Sequence, residues 1–241
     1  MDILLYSNEL NQKSTITQFY QQSIPKTNDL KRNEDMNFPS TTIVHKRILK
    51  KTLYEQAEIN SATKNLFSEQ IDSIFWEHKI SKDTANVEKG QKIEEIVIIK
   101  IVLSTQLIDT SILKIINKAI PYPILFLLNY QDTFKAGIFH TSSIDNSVRY
   151  YDTEWKSENE LNISICGINM DTVYENFVLQ IIGISKDFSM SFDEQLYKRE
   201  QGQKLEKEIA RLERMARNEK QPKKKFELVQ EIKKLQKDLV K

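Results

Sequence analysis

Residues 118–130 read KAIPYPILFLLNY, and this stretch decides the fold. Pro121 and Pro123 end any helix that precedes them, because proline lacks the backbone N–H that a helix interior requires. Large apolar residues follow without polar alternation from Ile124 to Leu128. A short, continuous apolar run is typical of a strand that is buried on both faces of a sheet. We therefore predict that the central strand lies here.

The segments on either side of this strand supply its neighbours. Residues 93–103 are apolar and rich in β-branched side chains, which predicts the adjacent strand. Between the two strands, Asp109 or Thr110 caps a helix that Pro121 ends. Beyond the central strand, the pattern predicts a hairpin turn at 131–132 and further strands at 134–139, 148–155 and 161–165.

Helices cover the sheet in this scheme. Asn60 or Ser61 caps a helix that is predicted to run to about Lys79, because its apolar side chains recur at helical spacing. These side chains are Phe67, Ile71, Ile74, Phe75 and His78. Asp171 opens the last helix of the body, and Gly183 supplies its C-terminal stop.

Hairpin-linked strands with flanking helices indicate an α+β fold on a largely antiparallel sheet. The composition divides the chain into three segments. Residues 1–42 form an N-terminal segment that is partly loop, with a helix predicted at 7–22. Residues 43–192 form the α+β body, and residues 193–241 form a C-terminal antiparallel helical hairpin of the coiled-coil type.

The C-terminal segment carries two matched apolar repeats. Leu205, Ile209, Leu212 and Ala216 are spaced 4, 3 and 4, and the same spacing returns in Leu228, Ile232, Leu235 and Leu239. Two heptad-spaced helices around a short, proline-containing connection predict an antiparallel hairpin. Each seam spans only about two heptads, which is marginal for an isolated helix pair. The apolar residues are therefore also candidates for binding a partner: Leu205, Ile209, Leu212, Leu228, Ile232, Leu235 and Leu239.

Charge is distributed unevenly along the chain. The net charge is +1, but residues 198–241 contain 15 basic and 8 acidic residues, which gives this segment +7 and the remainder −6. A basic segment contacts nucleic acid or an acidic partner, or is a solvated helix face. The candidate phosphate-contacting residues are Lys204, Lys207, Arg211, Arg214, Arg217, Lys220, Lys223, Lys224 and Lys225. Glutamates interleave with these cations, so both interpretations stay open, as they do for a second basic patch at 45–51.

Composition excludes several classes of site. The 5 glycines leave little room for a glycine-rich phosphate loop, and no Gly-x-Ser-x-Gly motif occurs. The single cysteine, Cys166, excludes an internal disulfide and a multi-cysteine zinc site, and its apolar neighbours predict a buried thiol. The sequence has neither a secretory signal nor the roughly 20 consecutive apolar residues of a membrane span. We expect a cytoplasmic protein without membrane association.

No motif identifies a metal site or a catalytic centre. His45, His78 and His140 stand far apart and lack partners at ligand spacing. A carboxylate-plus-lysine nuclease needs an acidic residue and a lysine on one strand face beside a divalent ion. Glu95 and Lys100 share a predicted strand, but a separation of five puts them on opposite faces. We therefore predict no catalytic residue, no metal and no cofactor.

One further set of residues carries a family resemblance: Trp76, Ile120-Pro121-Tyr122, Thr153-Glu154-Trp155, Gly167, Tyr174-Glu-Asn-Phe177 and the paired C-terminal helices. Their order and intervals resemble those of a bacterial family called domain of unknown function 4391, from about residue 43 to residue 241. Members of that family accompany helicases and adenine DNA methyltransferases in restriction or phage-defence gene clusters. The resemblance therefore implies a DNA-related accessory role, and it supplies no catalytic residues.

Three functional hypotheses follow. The first is a non-enzymatic interaction subunit of a DNA restriction or anti-phage system, which docks on a helicase or methyltransferase and contacts the DNA backbone. The second is a divergent metal-dependent nuclease in which the fold gathers Glu95, Asp152 and Glu154. The third is a scaffold that forms homo-oligomers through the helical hairpin.

Overall fold

The computed structural model describes residues 38–57 and 59–239. The described chain forms two compact units. The body unit comprises the described residues up to 141 together with Ser147–Ser185, and the hairpin unit comprises Ser142–Asn146 and the described residues from 186 onward. The helices are α1 (Lys50–Ala57), α2 (Ser61–Gln70), α3 (Lys82–Ala85), α4 (Thr110–Ala119), α5 (Met170–Ile182), α6 (Phe192–Asn218) and α7 (Pro222–Leu239).

The body unit is built on one open sheet. Its strands are β1 (Ile43–Ile48), β2 (Ile71–Ser81), β3 (Glu95–Leu103), β4 (Ile124–Tyr130), β5 (Thr133–Thr141), β6 (Val148–Asp152) and β7 (Lys156–Ser157). The order is β1-β2-β3-β4-β5-β6, and β7 pairs with β5. All pairings are antiparallel except that of β3 with β4, which are parallel and joined by α4. The predicted α+β class and the predicted pairing of the two most apolar strands are confirmed.

The central strand is buried as its sequence predicted. Side chains of β4 from Ile124 to Leu128 are at most 1 % exposed. On one face, Phe126 joins a core that includes Ile99 of β3 and Leu113 of α4. Alternate residues of a strand point to opposite faces, so Leu125 and Leu127 lie on the other face. The fifth helix, α5, packs against β3, β5 and β6. Burial on both faces explains why this strand has no polar alternation.

The predicted helix from residue 60 to residue 79 is wrong in its second half. Asn60 caps α2 as expected and accepts a bond from the Thr63 backbone N–H, but α2 ends at Gln70 and the chain continues as β2. Strand β2 lies between β1 and β3, so both of its edges are hydrogen-bonded and most of its residues are buried. A doubly covered strand accepts apolar residues at any position, and the stripe of apolar side chains matched a helix by coincidence.

Three smaller expectations also fail. The alternating segment at 161–165 is not a strand: Leu161 and Ile163 are buried, but the backbone there forms no ladder. Cys166 is exposed rather than buried. Strand β6 ends at Asp152, three residues before the predicted end. The helix predicted at 7–22 lies outside the described residues.

The helix cap, the helix stop and the hairpin turn that the sequence predicts are present in the structure. The Asp109 carboxylate accepts a 2.8 Å bond from the Ser111 backbone N–H and caps α4. Gly183 ends α5 with φ +70°, a left-handed conformation that glycine adopts without strain. The predicted hairpin turn joins β4 to β5, with Gln131 at φ +53°.

The hairpin unit contains α6 and α7, which contact each other along their length as predicted. The turn at 219–221 separates them, and Pro222 is the first residue of α7. A Cβ atom placed on Gly202 would lie 3.8 Å from the Cδ1 atom of Leu239. The end of α7 therefore reaches the middle of α6. None of the helices within 38–57 and 59–239 is both long and apolar enough to cross a membrane.

Candidate nucleic-acid interface

The two helices of the hairpin unit are held together by a small apolar seam. Ile209, Leu212, Ala216 and Ile232 are buried there, and Leu228 and Leu235 pack against them. Most of the apolar residues that the sequence offered for partner binding therefore pack inside the hairpin. Leu205 is half-buried, and Leu239 is 37 % exposed at the far end of α7. A partner of this unit would meet its outer surface.

All nine cations singled out from the sequence lie exposed on that outer surface. Two of them are in ion pairs. The Arg211 guanidinium donates to both carboxylate oxygens of Glu208 at 2.8 and 2.6 Å, and these bonds hold the pKa of Glu208 below its ordinary value. Arg217 lies 3.7 Å from Glu213. The other seven form no ion pair with any residue in the described part of the chain: Lys204, Lys207, Arg214, Lys220, Lys223, Lys224 and Lys225.

The positive charge is concentrated where the helices meet. Residues 214–226, which we call the hairpin tip, contain six basic residues and one acidic residue, Glu219. The hairpin tip therefore holds +5 of the +7 carried by residues 198–241. Along the rest of both helices, acidic and basic residues nearly balance. The turn between α6 and α7 falls inside this segment, so its cations lie at one end of the helical hairpin.

An open groove of about 560 Å³ runs beside the tip. Its lining combines two arginines, two apolar side chains, one amide and one carboxylate: Arg211, Arg214, Met215, Leu228, Asn218 and Glu219. The Arg211 guanidinium lies 3.6 Å from the Met215 sulfur, so it covers the apolar floor while its charge stays in solvent. This combination suits an anionic ligand with apolar faces.

The second basic patch, at 45–51, is largely engaged by the body unit itself. The Lys50 ammonium donates to the Ile71 carbonyl, and burial lowers the pKa of Lys50. Lys51 lies 3.7 Å from Glu55. His45 bonds to Glu77. The structure thus separates two basic clusters that looked equivalent in the sequence, and only the hairpin tip leaves most of its cations uncompensated.

The contact between His45 and Glu77 is the polar feature of the body that sequence reasoning missed. The His45 Nδ1 atom lies 2.9 Å from Glu77 Oε1, and the Glu77 side chain is only 6 % exposed. His45 has φ +46° beside a bulge in β1. A carboxylate bonded to one ring nitrogen fixes a histidine tautomer and leaves the other nitrogen as the proton acceptor. Glu77 was overlooked because its segment was assigned to a helix.

The carboxylates proposed for a nuclease are not brought together. Glu95 opens β3 and lies 2.8 Å from Lys79 of β2. Asp152 lies on β6, with β4 and β5 between them, and pairs with Lys135 at 2.7 Å. Three strand spacings amount to roughly 14 Å, too far to share an ion. Within 38–57 and 59–239, no three His, Cys, Asp or Glu side chains are placed to hold a metal.

Comparison with protein families matches residues 36–239 to a family described as a domain of unknown function (DUF4391). No curated protein and no solved structure matches the chain.

Proposed function

The chain belongs to the DUF4391 family, and from this premise and the charge of the hairpin tip we propose that it is a non-enzymatic accessory subunit that holds a nucleic-acid backbone. Its setting is a bacterial DNA restriction or anti-phage defence system. Its protein partner there is a helicase or DNA methyltransferase, as the resemblance set out above implies.

The concentration of uncompensated cations at the hairpin tip carries this proposal. Like charges this close repel one another, and the apolar seam that joins the two helices contains none of them. Phosphates relieve that repulsion, and each neutralised phosphate releases bound counterions. Arg214 lines the groove and has no ion pair within the described chain, and its planar guanidinium suits phosphate oxygens.

Binding of the full chain to a labelled DNA duplex across a salt series tests the proposal. Replacing Lys223, Lys224 and Lys225 by Gln should reduce the slope of log K against log salt by about 2.7, since each phosphate contact contributes about 0.9. The matched control replaces Lys233, Lys234 and Lys237 by Gln, which makes the same charge change farther along α7. Equal slopes for the two triple variants, or no binding at low salt, would refute a phosphate-contacting tip.

Three further measurements test the remaining parts of the proposal and its two alternatives. When the chain is mixed with the helicase or methyltransferase of its own gene cluster, the two should elute together as a complex in gel filtration. Separate elution would refute the proposed partner. Plasmid DNA incubated with the chain and Mg²⁺ or Mn²⁺ should stay intact.

Cleavage of the plasmid that disappears on Glu95→Ala would establish the nuclease alternative instead. Light scattering that shows a concentration-dependent oligomer would support the scaffold alternative.

A further inference from the structure

The hairpin tip carries one large aromatic side chain that the helix seam does not use. Phe226 is 64 % exposed. Leu228, two residues farther along α7, packs in the seam. A helix turns by about 100° per residue, so Phe226 stands about 200° from Leu228 and faces away from α6. Its phenyl ring therefore contributes little to holding the hairpin together.

The surroundings of Phe226 are cationic. Lys223 stands three residues before it, so the two side chains lie on the same face of α7. Residues three apart on a helix have Cβ atoms about 5–6 Å apart, which places the Lys223 ammonium within reach of the ring. Lys224 and Lys225 directly precede Phe226. The phenyl ring thus exposes an apolar face close to lysines that have no acidic partner in the described chain.

We infer that Phe226 is a platform on which an unpaired base stacks, and that the hairpin tip binds single-stranded nucleic acid in preference to duplex. This inference rests on the proposed function and names the form of nucleic acid that the tip takes. A single strand offers both groups that the surface requires: base faces for the ring and phosphates for the lysines. In a duplex the base faces are stacked on one another, and only base edges are accessible in the grooves.

Charge complementarity selects this occupant over an ordinary apolar docking partner. A surface with +5 over thirteen residues favours a polyanion over an apolar docking partner. Met215 of α6, at 46 % exposure, lines the cationic groove. An acidic protein segment is the competing occupant, and the experiment below distinguishes it.

The test uses the full chain with labelled oligo-dT and with a duplex of equal length at the same salt concentration. The unmodified chain should bind oligo-dT more tightly. Phe226→Ala should weaken oligo-dT binding about tenfold, since stacking on an aromatic side chain contributes about 1–3 kcal/mol per base. Duplex affinity and the salt slope should stay unchanged. Phe226→Tyr should retain binding. The matched control is Phe188→Ala, which removes a ring that is 89 % exposed in the same unit but outside the tip.

Each other result has one meaning. Equal binding of both DNA forms, unaffected by Phe226→Ala, overturns the inference and leaves the proposed function standing. Binding of neither form overturns both. If Phe226→Ala disrupts only the complex with the partner protein, the ring serves an acidic protein surface and the inference is wrong. Circular dichroism of each variant checks that the hairpin remains helical.

Discussion

The Nδ1 atom of His45 lies 2.9 Å from Oε1 of Glu77, across the edge pair of strands β1 and β2. The imidazole stacks on Phe75 with 5.5 Å between ring centroids and 12° between planes. The second oxygen of Glu77 is buried and has no hydrogen-bond partner in the described chain. A buried carboxylate with one orphaned oxygen is costly, so Glu77 depends on His45 for its compensation.

The stability lost on removing His45 should therefore be recovered, at least in part, by also removing the charge of Glu77. We expect His45→Gly to lower the free energy of unfolding by about 3 kcal/mol, because it leaves an unpaired buried carboxylate. Glycine adopts the positive φ at this position without strain, so the backbone effect is small. The double variant His45→Gly/Glu77→Leu should be more stable than His45→Gly alone. Urea unfolding measures both, and a double variant less stable than the single would show that the charge does not dominate.

The same pair shows where sequence reasoning stops. Strand β4, the caps of α2 and α4 and the hairpin seam were predictable because each depends on residues within a few positions of one another. Glu77 and His45 are 32 residues apart, and only the pairing of β1 with β2 brings them together. Strand β2 itself was misread because burial on both faces removes the period that distinguishes strands from helices.

The features of the hairpin tip also separate into those that the sequence predicts and those that only the structure shows. The heptads of α6 and α7 and the total charge of residues 198–241 are properties of the sequence alone. That the charge gathers at one end depends on where the turn falls, and that the Phe226 ring faces solvent depends on which stripe of α7 packs against α6. Neither follows from a list of basic residues.

Tyr150 of β6 and Tyr174 of α5 should respond oppositely to loss of their hydroxyl groups. Tyr150 has a buried hydroxyl with no hydrogen-bond partner in the described chain, and burial raises its pKa. Tyr174 donates from its hydroxyl to the Phe139 carbonyl at 2.9 Å. We expect Tyr150→Phe to leave stability unchanged or raise it by about 1 kcal/mol, and Tyr174→Phe to lower it by about 1 kcal/mol. Thermal unfolding of the two variants tests this, and a marked loss on Tyr150→Phe would reveal a partner for its hydroxyl.

Asp171 should be essential for the loop before β3. Its carboxylate accepts backbone N–H bonds from Gln91 at 2.7 Å and Ile93 at 2.8 Å, and a longer one from Lys92. A Cβ on Gly90 would lie 2.2 Å from the same carboxylate, so the loop closes tightly around it. Asp171→Asn should cost about 2 kcal/mol, because an amide offers one acceptor oxygen to three donors.

Asp132→Asn is the control for this variant, since Asp132 is an exposed carboxylate without a hydrogen bond to any described residue. It should be near neutral in chemical denaturation. Hydrogen exchange should also show faster exchange at Gln91 and Ile93 in Asp171→Asn. Unchanged exchange at those amides would contradict the role of Asp171 as their acceptor.

The start of α6 should lose stability in acid through Glu194. Ser191 donates to Glu194 Oε2 from its backbone N–H at 2.8 Å and from its hydroxyl at 2.7 Å, and these bonds lower the pKa of Glu194 from its ordinary 4.5. A carboxyl group with a lowered pKa in the folded state stabilises fully above its ordinary value and loses that contribution as pH falls through the folded value. The fall in melting temperature from pH 5 to pH 3 should therefore be smaller in Glu194→Gln than in the unmodified chain. Glu206→Gln removes the same charge from α6 without serine donors and should leave the pH dependence intact. An identical acid response in all three proteins would show that the capping carboxylate contributes nothing to the stability of this helix.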